Sequence, residues 1–116
     1  MDLIYPDPLA TAASLGPQKI ALATKRSQLS FGELASRVQQ TSNWLCEEGL
    51  STGDRVAVSG EESVDWWVTV LALIHIKALP VLLDAKDPRY EMMRRRAGCV
   101  LGLHCSSEET QPYATS

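Results

Sequence analysis

The stretch "GLSTGDRVAV", Gly49 to Val58, joins a helical pattern to an apolar run, and its reading decides the fold. Gly49 ends a helix, because glycine enters the left-handed backbone region without a side-chain penalty. A short polar turn follows, and Arg55-Val56-Ala57-Val58 begins a strand. A helix that stops, turns and enters an apolar strand is half of a repeating α/β unit.

Upstream of that turn lies the best-signalled helix. Ser30 is placed to cap it, and Glu33, three residues later, to reach back and complete a capping box. Phe31, Leu34, Ala35, Val38 and Leu45 recur at helical spacing and share one face, while Arg37, Gln39, Gln40, Asn43 and Glu47 supply the wet side. Before it, residues 7 to 16 predict a short helix closed by Pro17, and "KIALAT" (19 to 24) a strand. "KRSQ" then supplies a turn and "LS" a short return, so the two segments predict a hairpin.

Downstream, "RVAVSG" is the strand, and Ser63 caps a second helix running to about residue 77. Its apolar residues surround the axis: Val64, Trp67, Val68 and Leu71 on one side, Trp66, Val70 and Leu73 on another. A helix apolar all round is buried on most sides, which 116 residues can hardly provide. "ALPVLLD" predicts a strand with Pro80 at its start or on an unpaired edge. Pro88 suits the first turn of a third helix, residues 88 to 97, capped by Asp87 and ended by Gly98. "CVLGLHC" predicts a last strand, and the tail "SSEETQPYATS" has no apolar period.

This alternation predicts an α/β fold with a mainly parallel sheet flanked by helices, built through right-handed crossovers. Ligands in such sheets bind beyond the carboxyl ends of the strands, near a reversal of strand order. The loops after Ser59, Leu83 and Leu103 are the ones concerned. Residues 1–105 are read as one α/β subdomain, and 106–116 as a loose tail or the start of a connection.

Composition narrows the function classes. Hydrophobic residues make up 45% and charged residues 22% of the 116, as in an ordinary globular domain. A net charge of −3 argues against a nucleic-acid or anionic-membrane binder, and Arg94-Arg95-Arg96 reads as the solvated face of a helix. The apolar run "WWVTVLALIHIKALPVLL" is broken by His75, Lys77 and Pro80, so it is no membrane span. Cys46, Cys99 and Cys105 lack the paired spacing of a zinc site, and no secretory leader opens the chain. A cytoplasmic protein with reduced cysteines is the simplest reading, with Cys46 and Cys99 as small core residues rather than nucleophiles.

No P-loop, GxGxxG, HExxH, GxSxG or CxxC pair is present. His75 falls in the apolar helix and reads as packed rather than catalytic. His104 sits at a strand end, a better place for function, but without an obvious partner. Glu61-Glu62 with Asp65 allow a general acid/base pair, or equally helix-start acids favoured by the macrodipole. Asp84 and Asp87 could attract a metal, yet turn and cap roles explain both. These residues do not build a working active site: no catalytic, cofactor-binding or metal residue is assigned.

Taken together, "PQKIAL", "LSFGELASRVQQTSNWLCEEGLSTGDRVAV" and "ALPVLLDAKDP" resemble the start of the adenylate-forming ligases. That superfamily includes acyl- and aryl-CoA ligases, adenylation domains of peptide synthetases, and luciferases. The resemblance runs from about Pro17 to His104. It is carried by Leu29, Ser30, Glu33 and Leu34 at a helix start, and by Gly49, Gly53, Asp54 and Val56 in the Gly-x-x-x-Gly-Asp-x-Val turn. The chain departs from the pattern at Ile76-Lys77, where Gly-Ala is usual, and in "MRRRAGCVLGLHC". "ALPVLLDAKDP" is similar to a segment of the o-succinylbenzoate–CoA ligases of menaquinone synthesis.

The resemblance implies a parent enzyme that uses ATP, Mg²⁺ and CoA to activate a carboxylic acid. It also implies that the reactive motifs lie outside these residues, so the piece alone is expected to be inactive and to bind no cofactor tightly. Its partner would be the remainder of the parent ligase. Two other readings stand beside this one. The first is an adenylation domain activating an amino or aryl acid for a carrier protein; the second is a stand-alone module that docks through its tryptophan-bearing helix.

Overall fold

The computed structural model describes residues 8–23, 27–105 and 113–115. In chain order they form α1 (Pro8–Leu15), β1 (Ile20–Ala23), β2 (Gln28–Ser30), α2 (Phe31–Glu47), β3 (Arg55–Gly60), α3 (Val64–His75), β4 (Leu79–Leu82), α4 (Tyr90–Arg96), β5 (Cys99–Cys105) and β6 (Tyr113–Thr115). The main sheet has the order β4-β3-β5-β6. Strand β3 pairs parallel with β4 and β5, and β6 pairs antiparallel with β5. The expected α/β architecture is present, with three parallel strands and an antiparallel edge.

The first predicted strand does not join that sheet. β1 pairs antiparallel with β2 in a separate two-stranded sheet, as the hairpin reading required and the simple strand–helix alternation did not. Of the tail, residues 106–112 and 116 lie outside the described residues, and 113–115 form edge strand β6.

Val56, Val58 and Leu103 are fully buried beneath α2 and α3, with Leu34, Val38 and Leu45 from α2 and Leu73 from α3 closing the core. Burying each such side chain contributes about 1.5–3 kcal/mol. Helix α2 begins with the predicted box: Ser30 Oγ accepts from the Glu33 amide at 3.2 Å, and Glu33 Oε1 accepts from the Ser30 amide at 3.1 Å. At the crossing of α2 and α3, Ser42 donates to the Val38 carbonyl at 2.7 Å, so a small polar side chain fits the contact without an unmet donor.

The turn read first is a clasp. Gly49 has φ +93°, and its amide and that of Leu50 donate to the Cys46 and Leu45 carbonyls, closing α2 as a Schellman motif. Asp54 Oδ2 accepts from the Ser51 amide at 2.8 Å. Gly53 donates to the Lys77 carbonyl at 2.9 Å, and Asp54 accepts from the Leu79 amide at 2.8 Å. The turn before β3 thus ties itself to the turn before β4, fixing their register at the amino ends of the strands.

Two element ends move from their expected places. Helix α3 stops at His75, because Lys77 adopts φ +63° and its amide and that of Ala78 fold back onto the Ile74 and Leu73 carbonyls. Helix α4 begins at Tyr90 with Arg89 as its cap residue, not at Pro88. Asp87 instead holds the preceding turn, accepting from the Arg89 amide at 2.8 Å and, through its carbonyl, from Tyr90 at 2.9 Å. Among the described residues no helix is long and apolar enough to cross a membrane.

Candidate functional site

A cleft of about 250 Å³ opens at the carboxyl ends of the parallel strands, lined by Gly60, Glu61, Asp84, Ala85, Lys86, His104 and Cys105. Its position follows from topology. The chain leaves β3 for β4 on one side, then crosses back to β5 on the other, so the strand order reverses beside β3. The three loops singled out in the sequence supply the lining.

Gly60 brings the two strands together. The Glu61 amide donates to the Cys105 carbonyl at 3.2 Å, and a Cβ built on Gly60 would lie 1.8 Å from that oxygen. No other residue fits there without a shift of backbone.

His104, which showed no partner in the sequence, has one in the fold. Ser59 and His104 are in register on neighbouring strands, and Ser59 Oγ lies 3.0 Å from His104 Nδ1. Ser59 is 1% exposed, so its hydroxyl orients the imidazole and does not face a substrate. The two are 45 positions apart, and only strand register reveals the pair. Cys105 is buried, with its Sγ 3.7 Å from Thr69 Oγ1. Burial pushes its thiol up, so it stays protonated and weakly nucleophilic at neutral pH.

The acidic candidates separate. Glu61 lines the cleft and Glu62 is exposed, but Asp65 turns inward, 2% exposed, and pairs with Arg37 across the α2–α3 contact. The three do not form an acid/base pair, and Arg37, still partly in water, bends from the wet side to reach Asp65. A lone acid inside "VDWWV" was the available signal of a buried cation partner. Asp84 Oδ1 accepts from the Lys86 amide at 2.9 Å, as the turn reading expected. Hydrogen bonds from the Arg89 side chain and amide hold the Asp87 carboxyl below its usual range.

The remaining candidates fall elsewhere. His75 is exposed at the end of α3 rather than packed. Cys46 is exposed, not a core residue, because it follows fully buried Leu45 and points about 100° further round the helix. Cys99 is half-buried. Arg95 and Arg96 are exposed as expected, while Arg94 is largely covered and reaches Glu91 at 3.5 Å. Among the described residues no three or more His, Cys, Asp or Glu side chains are grouped to hold a metal ion. A triphosphate in the cleft would meet the carboxylates of Glu61 and Asp84 against the single ammonium of Lys86. These residues alone do not fit an ATP–Mg²⁺ group.

Comparison with known proteins defines the class: the sequence model of the AMP-binding enzymes matches residues 9–111, and the chain belongs to that family. Individual relatives agree. Tenellin synthetase of Beauveria bassiana is 34% identical over 96 residues, 83% of this chain but 2% of that protein. The hybrid PKS-NRPS synthetase iliA of Neonectria sp. is 37% identical over 75 residues, 65% of this chain and 2% of that protein. Among solved structures, O-succinylbenzoate coenzyme A synthetase of Bacillus subtilis, in complex with AMP, superimposes with a TM-score of 0.80 at 25% identity. That match covers 91% of this chain and 28% of that one, and the same enzyme is also solved with ATP and a magnesium ion. The chain therefore spans a small fraction of the proteins it matches.

Proposed function

We propose that this chain is framework of an ATP-dependent adenylate-forming ligase. The parent would join a carboxylic acid to the α-phosphate of ATP, release pyrophosphate, and pass the acyl group from the acyl-adenylate to the thiol of CoA. Family membership across residues 9–111 carries the reading. The likeness to a coenzyme A synthetase over 91% of the chain supports CoA as acceptor and an aryl acid such as o-succinylbenzoate as substrate. The cleft, with two carboxylates and one lysine, forms one wall; the cations that hold the phosphates come from the rest of the parent. A cytoplasmic location accords with this chemistry.

The test is pyrophosphate release in ATP, Mg²⁺ and o-succinylbenzoate. The 116-residue chain should release none; the polypeptide encoded by its whole reading frame should release it and form a CoA thioester. Release by the 116 residues alone would refute the framework reading. A second reading is favoured by the 37% identity to a PKS-NRPS synthetase: the acid is an amino acid, and the acceptor a carrier-protein thiol. Amino-acid-dependent release with no CoA thioester would select it.

A further inference from the structure

We infer that Arg94 and Arg55 form a site for a phosphate group, free or esterified, where the end of α4 meets the amino ends of β3 and β5. The site lies one strand length, roughly 17 Å, from the cleft and does not depend on the proposed enzymatic role. Arg94 and Cys99 belong to "MRRRAGCVLGLHC", the segment in which this chain departs from the pattern of the family it resembles.

Two guanidiniums from different elements converge there. Arg55 and Cys99 are in register at the starts of β3 and β5. Arg55 Nη1 donates to the Ala97 carbonyl at 2.9 Å, which draws its head group across to the end of α4. Gly98, at φ +73°, turns the chain at that point, and a Cβ built on it would lie 3.4 Å from Arg55 Nη1. Arg94 reaches the same corner from the last turn of α4. Burial pushes the Cys99 thiol up, while Arg94 and Arg55 both pull it back, so both cations lie beside its Sγ.

Arg94 carries the inference. Its side chain is only 16% exposed, and its Nε is buried with no hydrogen-bond partner among the described residues. A guanidinium withdrawn from water needs its donors met. Yet the carboxylate it reaches, Glu91, is 59% exposed and stands 3.5 Å from Nη2, the far limit of a hydrogen bond. Arg55 is exposed and forms no ion pair among the described residues; the neighbouring Asp54 carboxylate is turned to the Ser51 amide. Exposed Arg95 and Arg96 add to the positive field. Two forked donors on separate elements suit a tetrahedral, doubly charged oxygen ligand better than one flat carboxylate. Glu91 is the competitor that such a ligand displaces.

The 116-residue chain is titrated with inorganic phosphate and, separately, with glycerol 2-phosphate at fixed ionic strength, followed by amide chemical shifts. At least one should bind with a Kd of about 1 mM or below, the tighter of the two naming the source. Arg94→Gln and Arg55→Gln should each weaken binding at least about 5-fold. Glu91→Gln should tighten it about 2- to 3-fold, because the competing carboxylate is gone. Alkylation of the unaltered chain locates the charge without any substitution. Cys46 is exposed beside exposed Glu47 and Glu48, so it is the internal reference. The ratio of iodoacetate to iodoacetamide reactivity should be at least about 5-fold higher at Cys99 than at Cys46, and phosphate should remove the difference. Failure of both ligands to saturate below about 20 mM overturns the inference. So does unchanged affinity in both arginine variants, or an equal alkylation ratio at the two cysteines.

Discussion

Lys77 holds a backbone conformation that side chains resist. Its φ of +63° closes α3 in the same way that Gly49 closes α2, but with a Cβ in place. The left-handed region costs a residue with a Cβ roughly 1–2 kcal/mol, part of which glycine returns as unfolded-state entropy. Lys77→Gly should therefore stabilise the chain by about 0.5–1 kcal/mol, seen as a higher urea midpoint at unchanged slope. The sequence marked this position, since glycine is usual nearby in the resembling family; the departure was legible, its strain was not. Arg37 and Asp65 show a second residue-scale effect. Arg37→Met removes a guanidinium from a carboxylate that is 2% exposed. It should cost about 2–3 kcal/mol in equilibrium denaturation, below the upper range for fully buried pairs because Arg37 remains partly in water.

At the scale of elements, α2 was readable almost to its ends, because its cap, apolar stripe and terminal glycine are all local signals. The box at its start sets a pH dependence. Hydrogen bonds from the Ser30 amide and hydroxyl hold Glu33 below its ordinary pKa. Its folded-state pKa is thus below the unfolded one, so its contribution is complete above the usual carboxylate range and is lost as pH falls through the folded value. Glu33→Gln should lower Tm near neutrality and flatten the acid limb of a Tm-against-pH curve, the variant and parent curves converging at low pH. Where element ends were misjudged, the cause was not local propensity. Helix α3 stops at His75 because Lys77 turns over so that its carbonyl accepts from the Gly53 amide, a contact 24 positions away. Asp87 does cap, but it caps the turn in front of α4.

For the molecule as a whole, parallel strands and a cleft at their carboxyl ends were legible from alternation alone. The contents of the cleft were not. Ser59–His104 depends on the register between β3 and β5, and the inward turn of Asp65 depends on how α2 crosses α3. The first leaves no trace in linear spacing, and the second only a lone acid inside an apolar run. The same whole-molecule view explains why a framework of this size was easier to place than a chemistry: packing periodicity repeats along the chain, whereas reactive groups converge from distant parts of it.

Pro80 has a consequence for life in a crowded solution. The amides of Leu79 and Leu83 point inward, to Asp54 and Val58, so alternation turns position 80 toward the open rim of the sheet. A proline there removes one of the few donors by which a foreign strand could latch on. Pro80→Val would restore the donor on a rim that already shows Leu79 and Leu82. Incubated at high concentration, the variant should grow thioflavin-positive fibrils while the parent sequence stays dispersed.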